Sequence, residues 1–396
     1  MEIELTQQQQ RERDNFRRFA SAEIEPYADQ ADREGRFSQE ALRKIAESGR
    51  LGGILPMEWG GRGMDMITYG LLHEEMGKAC SSARSIITVH DMVAMAILKW
   101  GNERQRKRLL PGLASGKSIG AFAVSEPNVG SDAKSIETTA TRSNGSYILN
   151  GSKKWITGGQ IADLFLVLAR CENKPSAFLV ERDRPGFSVE PITGLLGLRA
   201  SMAAEISFHQ CEIPPENLIG RVGFGLMSIV VTALSLGRYS VAWGSVGIAQ
   251  ACLDACIRYT SRRRQFGALL KEHQLIQEMI AEMTANLKAA RLLCYHAGRL
   301  KQEGDSREIM ETFVAKYFAS RAAMRAASDA VQIHGANGCA SEYPVQRYLR
   351  DAKVMEIIEG SSQISQLLIA KYAFQEHERS ESEIAVSGET MNFSSP

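Results

Sequence analysis

The sequence predicts an α+β chain built from three successive units: a helical unit over residues 1–117, a β unit over 118–225 and a four-helix bundle over 226–373, followed by a polar tail at 374–396. Three observations predict it. Apolar residues first recur at helical spacing, in ALRKIAESGRL and YGLLHEEMGKA, and breakers in LPMEWGGRGMD separate those runs. The texture then changes. Six of the eleven prolines fall between 118 and 225, among the strand-like runs LFLVLAR, AFLVERD and EISFHQCEI and turn signals such as SNG and DRPG. Helical periodicity finally returns in two long runs, one from Gly225 to Arg262 and one from His273 to Leu300, and Gly304 after Lys301-Gln302-Glu303 marks a helix end. Long helices joined by short connections are most economically packed as a bundle. After Phe374 large apolar residues nearly disappear, so the tail is expected to be disordered or weakly docked.

At 396 residues the chain exceeds the size of a single hydrophobic core, and its 44% hydrophobic content fills several. Lys plus Arg number 47 against 46 Asp plus Glu, a net charge of +1, which provides no general field for nucleic acid or a lipid surface. An anionic ligand must therefore be met by local groups. The seven cysteines form no CxxC pair and no zinc-type spacing, so they read as reduced core residues and no metal site is expected. The first twenty residues carry no apolar signal-peptide core, and no run of about 18 uninterrupted apolar residues occurs. The expected setting is cytoplasmic.

Several segments carry more chemistry than their neighbours. SEPNVGSD, 125–132, offers hydroxyls and backbone amides in a turn bent by Pro127 and Gly130, which suits an anionic or heteroaromatic ligand, although an ordinary polar hairpin reads the same way. KKWITGG, 153–159, places an indole and a hydroxyl together; taken alone, a Trp in a strand reads first as a core residue. Arg238 interrupts an otherwise apolar helical run, where a guanidinium is costly unless paired.

Together AFAVSEPNVGSDAKSIETTA, NGSKKWITGG, RRRQFG, QIHGANGCASEYPVQRYLRDAK and IIEGSSQIS, in this order and spacing, resemble the acyl-CoA dehydrogenase family over residues 5 to 373. The resemblance implies FAD as cofactor. It sets Ser125 at the flavin's polar edge, Ser131 at its pyrophosphate, Trp155 over one ring face and Thr157 at its edge. Ser361 and Gln363 complete that set, while Arg263, Phe266, Gln274, Gln332 and Gly335 would reach the flavin of a neighbouring subunit in a homodimer or homotetramer. It also makes Glu359, followed by Gly360, the base that removes the substrate's α-proton. Flavin dehydrogenation of a thioester requires a partly desolvated base on one face of the Cα–Cβ bond and fixed donors at the enolate oxygen. Glu359 stands between Ile358 and Gly360, and Gly360 removes a side chain that would crowd a substrate. Glu356 precedes the motif and reads as a solvated helix residue. A branch of the family carries its base on the long helix after the β unit, where this chain has Gly237.

The substrate reading rests on Arg84 and Ser85. In CSSARSIITVHDMVA they fall on a helix expected to line the acyl pocket, and this stretch, with GRYSVAWGSVG, LRAS and IADLF, is similar to glutaryl-CoA dehydrogenases, whose matching Arg and Ser hold a distal carboxylate. It is similar also to dehydrogenases that make alkoxymalonyl extender units on carrier proteins in polyketide assembly. A short polar acyl group on CoA or on acyl-carrier protein is implied, with an electron-transfer flavoprotein or oxygen as acceptor. The competing reading pairs Arg84 with an acid such as Asp91 or Glu74. Arg238 is open between an ion pair and a substrate contact. The alternative activity is a flavin oxidase or monooxygenase on the same fold, the latter without need of Glu359.

Overall fold

The computed structural model describes residues 4–390. Six helices open the chain: α1 (Gln7–Phe19), α2 (Glu25–Glu34), α3 (Gln39–Glu47), α4 (Met66–Ala79), α5 (Ser81–Trp100) and α6 (Glu103–Ala114). The starts of α1, α3, α4 and α6 are set by side-chain caps that satisfy otherwise unpaired N–H groups. Thr6 and Gln9 form a reciprocal capping box at α1, Asp65 accepts from Thr68 N at 2.9 Å at α4, and Asn102 with Gln105 repeats the box at α6. Helices α4 and α5 are buried nearly all round. The acids of HEEMGK are accommodated there by cations: Arg291 donates to Glu74 at 2.7 Å and Arg17 to Glu75 at 2.9 Å.

The β unit comprises β1 (Gly120–Ala123), β2 (Thr139–Ser143), β3 (Ser146–Ile156), β4 (Leu164–Cys171), β5 (Lys174–Glu181), β6 (Phe187–Pro191), β7 (Ala204–Ile213) and β8 (Leu218–Ile219). They form one sheet in the order β6-β7-β3-β2-β4-β5-β8, with β1 and β2 both parallel to β4 and the other pairs antiparallel. Strand β4 reads as a continuous apolar run because both its faces are covered. Leu164 and Leu166 pack with Val93, Ile97 and Leu110 from α5 and α6, whereas Phe165 and Val167 join Phe178, Ile206 and Phe208 on the opposite side.

The C-terminal unit contains α7 (Val231–Thr260), a short hairpin β9 (Arg264–Gln265) and β10 (Ala268–Leu269), α8 (Gln274–Glu303), α9 (Glu308–His334), α10 (Val345–Met355) and α11 (Ser362–Thr390). Helices α7, α8 and α9 pack on one another, α10 packs against α7 and α9, and α11 lies along α9. Helix α8 ends at Gly304 in the left-handed region, as its sequence predicts. Helix α7 is long and apolar enough by composition to cross a membrane, yet here it is the central helix against α4, α5, α8 and α9. Over the tail expected to be disordered or weakly docked, α11 runs on past residue 374 to Thr390, with residues 375–378 exposed. No proline interrupts it, and Gln, Glu, Ala and Arg support helix without needing a large apolar face. Residues 391–396 of that tail lie outside the described residues.

Candidate active site

The segment between α10 and α11 positions Glu359. Ser362 N donates to Glu356 O at 2.9 Å, closing a tight loop in which Glu359 has φ 57° and Gly360 φ 100°. A left-handed non-glycine residue costs about 1–2 kcal/mol. Two cations hold it there. Arg238 Nε donates to Glu359 O at 2.9 Å and Lys316 Nζ donates to Gly360 O at 2.7 Å. Each charge-assisted bond contributes about 1.5–3 kcal/mol, so the pair outweighs the strain. At Gly360 an added Cβ would meet only Arg238 Nε, at 3.9 Å, so within the chain it is the φ of 100° that requires glycine.

Glu359 is half-buried, and its Oε2 is shielded from solvent without a hydrogen-bond partner. It fills the space opposite Gly237 of α7, where a Cβ would lie 2.6 Å from Oε2 and 2.8 Å from Met92 Sδ. A carboxylate thus occupies this space from one position or from the other, not from both. Burial pushes the Glu359 carboxyl up to about 7, against the opposing pull of Arg238, Lys316 and Arg84. Glu356 caps α10 and pairs with Lys353 at 2.7 Å.

Arg84, 1% exposed, extends from α5 toward α7. It passes Gly244, where an added Cβ would lie 2.3 Å from its Cδ. Its Nη1 donates to Thr88 Oγ1 at 3.0 Å and Ser240 Oγ at 3.1 Å, its Nη2 donates to Ser85 Oγ at 2.7 Å, and its Nε has no partner. The expected acid partners are engaged elsewhere. Glu74 accepts from Arg291, and Asp91 accepts from Gly52 N at 2.7 Å while burial pushes it up to about 8. Burial also draws Arg84 down to about 10, opposed by the field of Glu359. Arg238 makes no ion pair either: it binds the Glu359 carbonyl and lies 4.3 Å from the Phe313 ring centre. Arg84, Arg238 and Lys316 therefore surround one carboxylate, and none has a salt-bridge partner of its own among the described residues.

Ser125 and Trp155 meet through Lys154 N, which donates to Ser125 O at 2.9 Å. Trp155 sits at a register shift between β3 and β7, with φ 65° and the residue 55% exposed, beside Thr157. An outward indole at a strained position, with hydroxyls near it and an open turn at Gly130, fits a planar heteroaromatic group of the flavin type. The turn is braced from below by a pair absent from the sequence expectation. Lys153 Nζ donates to Glu126 Oε1 at 2.7 Å and Val124 O at 3.1 Å, and Glu126 accepts from Glu137 N and Thr138 N. Burial raises the Glu126 carboxyl, but these donors outweigh it and hold it below its ordinary value. Ser131 is exposed on this turn; Ser361 Oγ accepts from Ile364 N at the start of α11, and Gln363, the second residue of α11, is exposed.

Arg263, Phe266, Gln274, Gln332 and Gly335 form a separate group. Arg238 to Thr260 spans about 33 Å of helix at about 1.5 Å per residue, so the α7 end beyond it is remote from Glu359. Tyr259 stacks on His334 at 4.2 Å, which joins the end of α9, with Gln332 and Gly335, to the hairpin carrying Arg263 and Phe266. Phe266 is 98% exposed at φ 51°.

Three family profiles cover the chain: acyl-CoA dehydrogenase N-terminal domain over residues 6–117, middle domain over 121–211 and C-terminal domain over 225–374. An acyl-CoA dehydrogenase of Bacillus subtilis is 40% identical over 376 residues, 93% of this chain and 99% of that one. The butyryl-CoA dehydrogenase of Megasphaera elsdenii has the same fold, with TM-score 0.91 and 33% identity over 94% of this chain and 100% of that one. A glutaryl-CoA dehydrogenase in complex with glutaryl-CoA matches with TM-score 0.89 and 37% identity over 93% and 96%. A shielded, strained carboxylate ringed by cations, a three-unit fold and end-to-end similarity converge: the chain belongs to the acyl-CoA dehydrogenase family, FAD-dependent oxidoreductases acting on CH–CH bonds.

Proposed function

We propose that this enzyme oxidises a short acyl thioester bearing a polar or anionic distal group, with Glu359 removing the α-proton. The observation that carries the reading is the imbalance around the base: three cations, Arg84 and Lys316 fully buried and Arg238 half-buried, face one carboxylate, and Arg84 has only neutral hydrogen-bond partners. A guanidinium with no ion-pair partner among the described residues is suited to an acid of the substrate. A hydrocarbon tail has nothing to offer it. The butyryl and glutaryl relatives differ at that distal end, and Arg84 with Ser85 favours the carboxylated or hydroxylated kind, on CoA or on a carrier-protein arm, including the alkoxymalonyl type used in polyketide assembly.

Trp155, Thr157, Ser125, Ser131, Ser361 and Gln363 would hold the FAD, which supplies a hydride acceptor opposite the base. Glu359, drawn up to about 7, is matched to proton removal near neutrality, and the proton passes to its carboxylate. Arg238 keeps that carboxylate in place by holding the Glu359 carbonyl, a role distinct from substrate binding. An electron-transfer flavoprotein or oxygen would be the final electron acceptor. Anaerobic bleaching of the flavin by glutaryl, hydroxymalonyl-type and butyryl thioesters, each on CoA and on carrier protein, tests the reading. Rapid bleaching by the polar set is expected, and failure of every thioester to bleach it refutes the assignment.

The remote group of Arg263, Phe266, Gln274, Gln332 and Gly335 lies too far along α7 to serve the same flavin as Glu359, which supports a homodimer or tetramer sharing its FAD sites across subunits. Arg263→Ala is expected to loosen FAD, read as a fall in the flavin-to-protein absorbance ratio. A monomer with stoichiometric FAD in sedimentation contradicts shared sites.

A further inference from the structure

Lys316 holds the turn at Gly360 O but has no part in the chemistry described above. It lies on α9, 0% exposed, on the same stripe as Thr312, Ala319 and Ala323. An apolar side chain there would fill the core without desolvating an ammonium. Its hydrogen bond runs to a single place, the carbonyl of Gly360, at 2.7 Å. One turn earlier on the same helix, Phe313 supports the guanidinium of Arg238, which holds the preceding carbonyl, that of Glu359. The two successive carbonyls of the left-handed turn are thus taken by two cations, one held from α7 and one from α9.

We propose that Lys316 is a positioning residue for the base: by holding Gly360 O while Arg238 holds Glu359 O, it fixes the turn that aims the Glu359 carboxylate into the pocket. The proposal rests on the assignment of Glu359 as base. Burial draws the ammonium down to about 8, so Lys316 still carries its proton at neutral pH and acts on Glu359 as a cation as well as a donor. The charged groups facing Glu359 are Arg84 from α5, Arg238 from α7 and Lys316 from α9, with Glu356 in its own segment. Among the described residues, only Arg238 and Lys316 bind the carbonyls of Glu359 and Gly360.

The test compares Lys316→Met, which loses charge and donor, with Lys316→Gln, which keeps a donor, and with Glu359→Gln as control, each as the FAD-loaded enzyme. In Lys316→Met the rate of flavin reduction per bound flavin is expected to fall about 10- to 100-fold with KM little changed. Its acid limb should move up by about one pH unit, because removing a nearby cation makes the base harder to ionise. Hydrogen exchange across residues 355–362 should quicken in the Met variant and remain near wild type in the Gln variant, whose limb still shifts. A Met variant with lowered Tm but wild-type rate per flavin, limb and exchange overturns the proposal and leaves Lys316 a core residue. If the Met variant does not fold, an unshifted limb in Lys316→Gln overturns it equally. Wild-type reduction by Glu359→Gln would instead remove the base assignment itself, which keeps the two failures apart.

Discussion

Glu359→Gln is expected to retain FAD and bind substrate while flavin reduction falls roughly 10³- to 10⁴-fold, the contribution of a positioned base. The amide has the size of the carboxylate that occupies the space opposite Gly237, so the turn held by Arg238 and Lys316 has no steric reason to move. What is lost is the capacity to accept a proton. The wild-type pH profile carries the same information. Burial holds the Glu359 carboxyl up at about 7, the ionised form is the active one, and so kcat/KM should rise with pH through an apparent value near 7 and flatten above it. The Gln variant should lack that limb. Stopped-flow bleaching of Glu359→Gln near the wild-type rate would sink the assignment.

Arg84→Met should separate substrates instead of abolishing turnover. Truncating one partner of a buried charge pair costs roughly 2–5 kcal/mol, or about 30- to 4,000-fold in kcat/KM for glutaryl or hydroxymalonyl-type thioesters. Butyryl thioester should be little affected or improve. The fold itself has little to lose. The guanidinium makes no ion pair among the described residues, and Thr88 and Ser240 keep their mutual hydrogen bond at 2.5 Å without it. Replacing an unpaired buried cation by an apolar side chain is commonly neutral or stabilising, so Tm should hold. A wild type that prefers straight-chain acyl groups, or equal loss on all three substrates, makes Arg84 structural and ends the polar-substrate reading.

What could be read before folding followed from local rules. Periodicity separates α4 and α8 from β4 and β7, Gly304 ends α8, and the words SEPNVGSD, KKWITGG and IIEG carry the family resemblance together with Glu359. These signals are legible because caps, turns and alternation depend on neighbours a few residues away. In the tail, scarcity of large apolar residues speaks to burial, not to whether a helix once begun at Ser362 continues.

The rest depended on residues far apart in the chain. Whether Arg84 meets an acid depended on Glu74 being taken by Arg291, more than two hundred residues away, and on Asp91 being turned to Gly52 N. Lys316 left one faint mark, a cation on the apolar stripe of α9, but nothing in ETFVAKYFAS indicates that its ammonium ends on Gly360 O. Nor does Glu359 reveal alone that it sits at φ 57° against Gly237. Residue types and spacing settled which chemistry the chain carries. The packing of α5, α7 and α9 around one loop decided its field, its strain and its free cations, because burial and charge act through space and have no period along the sequence.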